Sequence, residues 1–294
     1  MIVLSFPDDV NRARRLAELL GFDFFCVEYK VFPDGEDYVR VPVDVKDRDV
    51  VVFSSLYPDQ DRKIFRTILL LDALRDLNCR SLVLVCPYLA YSRQDRRFRD
   101  GEAVSLKTLI KIFENYVDYI LTVDVHKPQA FTSSKAVCIN VEPFEKYAKY
   151  IENNVGREDL VILSPDFGSL WRAEKVAKIL NVNYDYFEKY RDRVTGQITM
   201  KPREVDVKNR IVIIIDDIIA TGGTIREATR ILKSMNAKEV YALATHCQFL
   251  DNADRKLVES GVKSIICSDT IETGYSKISV LDLIAEHIHK ILSK

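Results

Sequence analysis

Short β-branched runs alternate along this chain with longer segments whose apolar residues recur at the helical period, and that alternation leaves few folds open. The runs cover residues 2–4, 50–54, 81–86, 119–123, 161–164, 211–215, 240–245 and 264–268. Helical spacing marks residues 61–77, 104–116, 170–180 and 225–235 between them. Within residues 61–77, Ile64, Phe65, Ile68, Leu69, Leu71 and Leu74 form one apolar stripe, which leaves Arg66 and Arg75 for the solvent side. Strands alternating with helices pair in parallel and are covered on both faces, so the expected class is α/β with mainly parallel sheets flanked by helices. Ligands in such sheets gather beyond the carboxyl ends of strands, and residues just after the apolar runs carry the search for function.

A length of 294 residues suggests two domains. The polar stretch at residues 152–159 is the best boundary, because no Pro/Gly linker marks another. With 43 basic against 44 acidic residues, the net charge of −1 argues against binding nucleic acid through bulk positive field. No apolar run reaches bilayer length, and the first residues lack the basic region of a signal peptide, so a cytoplasmic protein that binds no membrane is expected. Cys26, Cys79, Cys86, Cys138, Cys247 and Cys267 make no C-x-x-C and read as buried, inert thiols of a reducing compartment.

The most informative segment is residues 211–225, an apolar strand, then Asp216 and Asp217, then Ala220-Thr-Gly-Gly-Thr224 opening a helix. The chain has ten glycines, and its one Gly-Gly pair, Gly222 and Gly223, falls in this turn. Amides at the turn and the helix start would face a phosphate, with hydroxyls from Thr221 and Thr224. The two acids accept hydrogen bonds only, which suits sugar hydroxyls or a cation beside the phosphate. No G-x-x-x-x-G-K-[ST] is present, so ATP chemistry here is not of the P-loop kind.

Three segments of the first half add to this. Phe32-Pro-Asp-Gly-Glu36 reads as a turn between strands. Arg93-Gln94-Asp95 opens a loop with four arginines in seven residues, directly after a buried strand, and guanidinium density there favours a polyphosphate. Asp124-x-His126 also follows a strand; on extended backbone both side chains share a face, fit for Mg²⁺ and its waters.

The order D-D-x-x-A-T-G-G-T resembles the loop that phosphoribosyltransferases and the synthase of their substrate use for phosphoribosyl pyrophosphate. Taken with F-P-D-G-E, Y-x-R-Q-D, V-D-x-H and S-P-D in that order, the chain resembles the ribose-phosphate pyrophosphokinase family over essentially its whole length. The resemblance implies two similar phosphoribosyltransferase-like domains. These are residues 1–146 on the ATP side and 147–278 with the ribose 5-phosphate loop, while a terminal helix over 279–294 packs back on the first. It implies Arg93, Gln94 and Asp95 on ATP, with Phe32, Asp34, Gly35 and Glu36 reaching the adenine pocket from a neighbouring subunit of a homo-oligomer. Many members carry Asn where Asp34 stands; a carboxylate still accepts from the adenine amino group. His126, Asp166 and Asp124 would hold Mg²⁺. Phe167 and Ser169 stand where the family usually has small residues and a second Gly.

By the same resemblance, Lys189 and Arg191 belong to a mobile catalytic loop, although the residues alone also allow a charged hairpin at 184–197. Asp216 and Asp217 would orient the ribose hydroxyls, and residues 220–224 would clasp the 5-phosphate, with Arg191 nearby. The implied reaction transfers the β,γ-diphosphoryl group of MgATP to the anomeric hydroxyl of ribose 5-phosphate. The alternatives are a phosphoribosyltransferase with an amino-terminal extension and a non-catalytic regulatory homologue. His246 reads as a satisfied structural residue, and His287 and His289, two apart on a helix, as a poor metal pair.

Overall fold

The β-branched runs become strands because such side chains pack best on a pleated surface covered on both faces. The computed structural model of the chain describes residues 1–97, 99–131, 134–191 and 198–293. It divides into two compact units, Met1–Val141 with Leu281–Lys294, and Glu142–Val280.

In the first unit β1 (Ile2–Ser5), α1 (Val10–Leu20), β2 (Asp23–Cys26), β3 (Glu28–Val31), β4 (Asp37–Arg40), β5 (Asp49–Phe53), α2 (Gln60–Asp76), β6 (Ser81–Cys86), α3 (Ser105–Phe113), β7 (Tyr119–Val123) and β8 (Val137–Val141) follow one another. The sheet runs β2-β1-β5-β6-β7-β8 with every pairing parallel. β3 and β4 form a separate antiparallel hairpin.

The second unit holds α4 (Phe144–Asn154), β9 (Leu160–Ser164), α5 (Leu170–Leu180), β10 (Asn183–Arg191), β11 (Ile198–Pro202), β12 (Ile211–Ile219), α6 (Gly223–Ser234), β13 (Glu239–Cys247), α7 (Ala253–Glu259), β14 (Ser264–Ser268) and β15 (Ser276–Ile278). Its sheet runs β11-β10-β9-β12-β13-β14-β15, parallel except for β11. The last helix, α8 (Leu281–Leu292), lies against α1, with His289 edge-on to Phe22 at 6.3 Å.

The two sheets share one topology. The chain leaves β1 for β2 on one side and resumes at β5 on the other; likewise it leaves β9 for β10 and resumes at β12. The reversal falls between β1 and β5 in the first unit and between β9 and β12 in the second, where an open α/β sheet leaves its ligand crevice. Strand alternation fixes the second site. Val212 and Ile214 pack with Ala228 and Leu232 of α6, whereas Ile213 and Ile215 pack with Ala173, Val176 and Ala177 of α5. Each of these strand residues is wholly buried, worth about 1.5–3 kcal/mol, so β12 cannot slip register without inverting both faces.

Three expectations change. Arg66 is buried on α2, not solvent-facing, and Phe65 is 58% exposed. Asp8, just past β1, pairs with both Lys63 and Arg66, and the Arg66 guanidinium lies 4.3 Å from the Phe6 ring centre. Periodicity cannot see a partner supplied by another loop. Residues 152–159 are no boundary; they end α4 and turn into β9 inside the second unit, and their polarity is that of an exposed turn. Cys247 and Cys267 form a disulfide, because β13 and β14 are neighbours and bring their Cα atoms within 6.1 Å. With that bond present, the cysteines no longer argue for a reducing compartment. Cys26, Cys79, Cys86 and Cys138 are free thiols, all pushed above the ordinary thiol range first by burial.

Candidate functional site

At the reversal point of the second sheet, β9 ends on Ser164 and β12 extends past its apolar run through Asp216 and Asp217 to Ile219. Gly222 takes φ +69°, a left-handed conformation that only glycine adopts without strain, and α6 begins at the next residue. A Cβ on Gly222 would also sit 3.4 Å from Ala253 and Leu257 of α7. The side chains of Thr221 and Thr224 are exposed, and the first-turn amides of a helix have no partner within it. The loop's entry is fixed from β13's far end, where Gln248 N donates to Ile219 O at 2.9 Å and Leu250 N to Ala220 O at 3.0 Å.

The loop after β9 reaches the same place. Asp166 Oδ1 accepts from Ser169 N at 3.2 Å, and Ser169 Oγ donates to Asp216 Oδ1 at 2.8 Å. Asp216 Oδ1 also accepts from Asp217 N at 2.9 Å. Arg172, in the first turn of α5 and wholly buried, holds Nη2 3.7 Å from Asp217 Oδ2. So Asp166, Asp216 and Asp217 gather around the first turn of α5. Burial and then the neighbouring Asp217 charge push Asp216 well above the usual carboxylate range, against the pull of Ser169 and Arg172. Sequence reasoning missed Ser169 and Arg172 as parts of this group. The signal was there in part: an Asp ahead of a helical stretch is a good N-cap that accepts from the amide three residues on, which draws residue 169 towards Asp166.

Phe167 is 71% exposed and meets Tyr186 of β10 edge-on at 5.4 Å. The backbone of Lys189 and Arg191 lies in β10, opposite Met200 and Ile198 of the antiparallel strand β11. Their side chains and residues 192–197 lie outside the described residues. His246 is buried, with Nδ1 2.9 Å from Thr270 Oγ1. Thr270 Oγ1 also lies 2.7 Å from Thr245 O, so His246 is part of a buried polar group at the end of β13.

In the first unit, residues 32–36 close the β3–β4 hairpin as the turn expected there. Gly35 sits at φ +95°, and Asp34 Oδ1 accepts from Glu36 N at 3.1 Å. Phe32 is exposed at this turn, with Lys30 Nζ 4.8 Å from its ring centre. Arg62 of α2 fixes the hairpin by donating to Gly35 O at 2.9 Å and pairing with Asp37 at 3.4 Å. Arg62 also lines a cavity of about 690 Å³ with Asp59, Gln60, Asp61, Tyr88 and Tyr91. Arg93 is exposed on the loop just past Tyr91, with Gln94 and Asp95 half-buried. Gln94 N donates to Tyr91 O at 3.0 Å.

The segment after β7 differs from expectation. Asp124 takes φ +44° and is wholly buried, with its N–H donating to Val141 O at 3.0 Å. The backbone is therefore not extended, and alternation does not put Asp124 and His126 on one face. His126 is half-buried. Among the described residues no three His, Cys, Asp or Glu side chains cluster as a metal cage. Mg²⁺ commonly takes one or two carboxylates and completes its shell with water and substrate phosphates, a demand that the carboxylate of Asp166 fits. No helix among the described residues is long and apolar enough to cross a membrane.

Comparison with known proteins follows the same division. Residues 1–116 match the family model for the N-terminal domain of ribose phosphate pyrophosphokinase, and residues 143–283 match the phosphoribosyl transferase domain. The chain is 40% identical over 285 residues to a ribose-phosphate pyrophosphokinase of Sulfurisphaera tokodaii, covering 96% of this chain and 97% of that one. It is 39% identical over 292 residues to that of Methanopyrus kandleri, covering 99% of each. Among solved structures it resembles phosphoribosylpyrophosphate synthetase from Mycobacterium smegmatis, with a TM-score of 0.90 and 26% identity over 99% of both chains.

Proposed function

This chain belongs to the ribose-phosphate pyrophosphokinase family, and we propose that it transfers the β,γ-diphosphoryl group of MgATP to the anomeric hydroxyl of ribose 5-phosphate. The products are 5-phosphoribosyl 1-pyrophosphate and AMP. What carries the reading is the acid pair and glycine turn at the reversal point of the second sheet, bonded to the Asp166 loop through Ser169.

Each part has a physical task. Amides at residues 222–224 and the hydroxyls of Thr221 and Thr224 bind the 5-phosphate at the start of α6. Asp216 and Asp217 accept from the ribose hydroxyls and orient the sugar. Arg93, Gln94 and Asp95 bind ATP, and Phe32, Asp34, Gly35 and Glu36 serve the adenine of a neighbouring subunit in a homo-oligomer. His126 in the first unit and Asp166 in the second each offer Mg²⁺ a ligand atom; Asp124, being buried, is the weaker choice of the three. Bound Mg²⁺ would neutralise phosphate oxygens.

Transfer of a diphosphoryl group needs in-line positioning and charge stabilisation more than covalent chemistry. Lys189 and Arg191 supply cations to the transferred group and the departing AMP oxygen. The protein is assigned to the cytoplasm. The test is to incubate the chain with MgATP and ribose 5-phosphate and follow AMP. AMP that forms only with both substrates supports the reading; AMP without the sugar phosphate, or none at all, contradicts it.

A further inference from the structure

Two carboxylates on consecutive residues at the end of a buried strand are an unfavourable arrangement unless something fixes them. Asp216 and Asp217 stand in that position, and the first turn of α5 meets both. Ser169 is 4% exposed and uses both of its donors: its amide serves Asp166 and its hydroxyl serves Asp216. Arg172 lies three residues on, hence on the same helix face, and approaches Asp217 from the interior. Its guanidinium is 4.4 Å from the Trp171 ring centre, a placement that restrains it further.

We propose that Ser169 and Arg172 are positioning residues for sugar recognition: they hold the two carboxylates in the rotamers that accept from the vicinal diol of a pentose phosphate. The proposal rests on the reading of the acid pair given above. Oδ1 of Asp216 is committed inward by two donors, Ser169 Oγ and Asp217 N, which leaves its ligand-facing role to Oδ2. Oδ2 of Asp217 lies 3.7 Å from Arg172 Nη2, which holds that carboxylate against the first turn of α5. Held in this way, the acceptor-only pair suits the two hydroxyls of a diol. Ser169 and Arg172 also oppose the upward push on Asp216, which burial and the Asp217 charge dominate. A glycine or alanine at 169 would keep the loop and lose this bond.

The test compares binding of ribose 5-phosphate and 2-deoxyribose 5-phosphate, measured calorimetrically on the full chain. The deoxy sugar keeps the phosphate and lacks one hydroxyl of the diol. Wild-type protein should prefer the ribose form, and Ser169→Ala should weaken ribose 5-phosphate by about tenfold, the loss of one good buried hydrogen bond, while hardly changing the deoxy sugar. Arg172→Lys, which keeps the charge and loses the planar fork, should show the same convergence to a smaller degree. Equal weakening of both sugars in Ser169→Ala, or no change in either, overturns the proposal and makes Ser169 merely structural. A wild type that does not distinguish the two sugars overturns instead the underlying assignment of Asp216 and Asp217 to the diol.

Discussion

The two sheets reverse their strand order at equivalent points, yet what fills the two crevices differs in kind. In the second unit the crevice holds Asp216, Asp217, a left-handed Gly222 and exposed threonines. In the first, the crevice between β1 and β5 holds Asp8 bonded to Lys63 and Arg66 and is lined by Pro7, Pro58 and Tyr29. One keeps like charges together at a cost and leaves donors open; the other satisfies opposite charges with each other. Topology therefore supplies a place for a ligand, and the residues decide whether it is used. The energetic signs follow. The ion pairs of the first crevice favour the folded chain, whereas the buried like charges of the second oppose it.

That contrast can be broken from either side. The largest effect is expected at Lys189→Ala, which should lower kcat by about 10³-fold, the scale of a removed transition-state cation, with ribose 5-phosphate affinity unchanged by calorimetry. A variant of near-normal turnover would remove Lys189 from the mechanism. Asp8→Asn should do the reverse, leaving kcat within about twofold and lowering unfolding free energy in urea by about 2–3 kcal/mol. Breaking a fully buried pair costs more, but Asp8 keeps a third of its side chain in water. Unchanged stability would mean that the first crevice is as unsatisfied as the second.

Gly222→Ala sharpens the comparison at one residue. A Cβ at φ +69° costs about 1–2 kcal/mol, and contact with α7 adds to it. The expected result is a KM for ribose 5-phosphate raised about tenfold, with little change in KM for ATP; equal rises in both would contradict a local sugar-phosphate role.

The smallest effect concerns pH, and there the signs oppose. Asp8 is drawn below the usual carboxylate range by Lys63 and Arg66, whose pull outweighs its largest single influence, the upward push of burial. Its contribution to stability is present above the unfolded value and lost as pH falls through the folded one. Asp216 is raised, so its folded form holds a proton longer than the unfolded chain, and stability declines as pH rises from the unfolded value through the folded one. Urea titrations should show Asp8→Asn flattening the acid limb and Asp216→Asn raising stability at neutral pH. If both variants shift the same limb in the same direction, the contrast is wrong.

Much of this was legible in the sequence for a physical reason: strand ends, turns and helix starts are local. The acids and glycines after residue 215 announce their turn through backbone chemistry, and the Pro-Asp-Gly at 33–35 announces the hairpin. What was not legible depends on neighbours distant in the chain. Arg66 looks like a surface residue until Asp8 is placed beside it. Cys247 and Cys267 look unrelated until β13 and β14 pair. Asp124 looks extended until its amide is tied to Val141. Ser169 looks like a departure from a small-residue loop until Asp216 comes within 2.8 Å of its hydroxyl.

The claim that only one of two like crevices binds the sugar phosphate has a direct measurement. Hydrogen–deuterium exchange of the full chain, with and without ribose 5-phosphate, reads both at once. Slowed exchange at residues 216–226 and 164–172, with residues 54–66 unchanged, is the predicted result. Protection at residues 54–66 with none at 216–226 would contradict it.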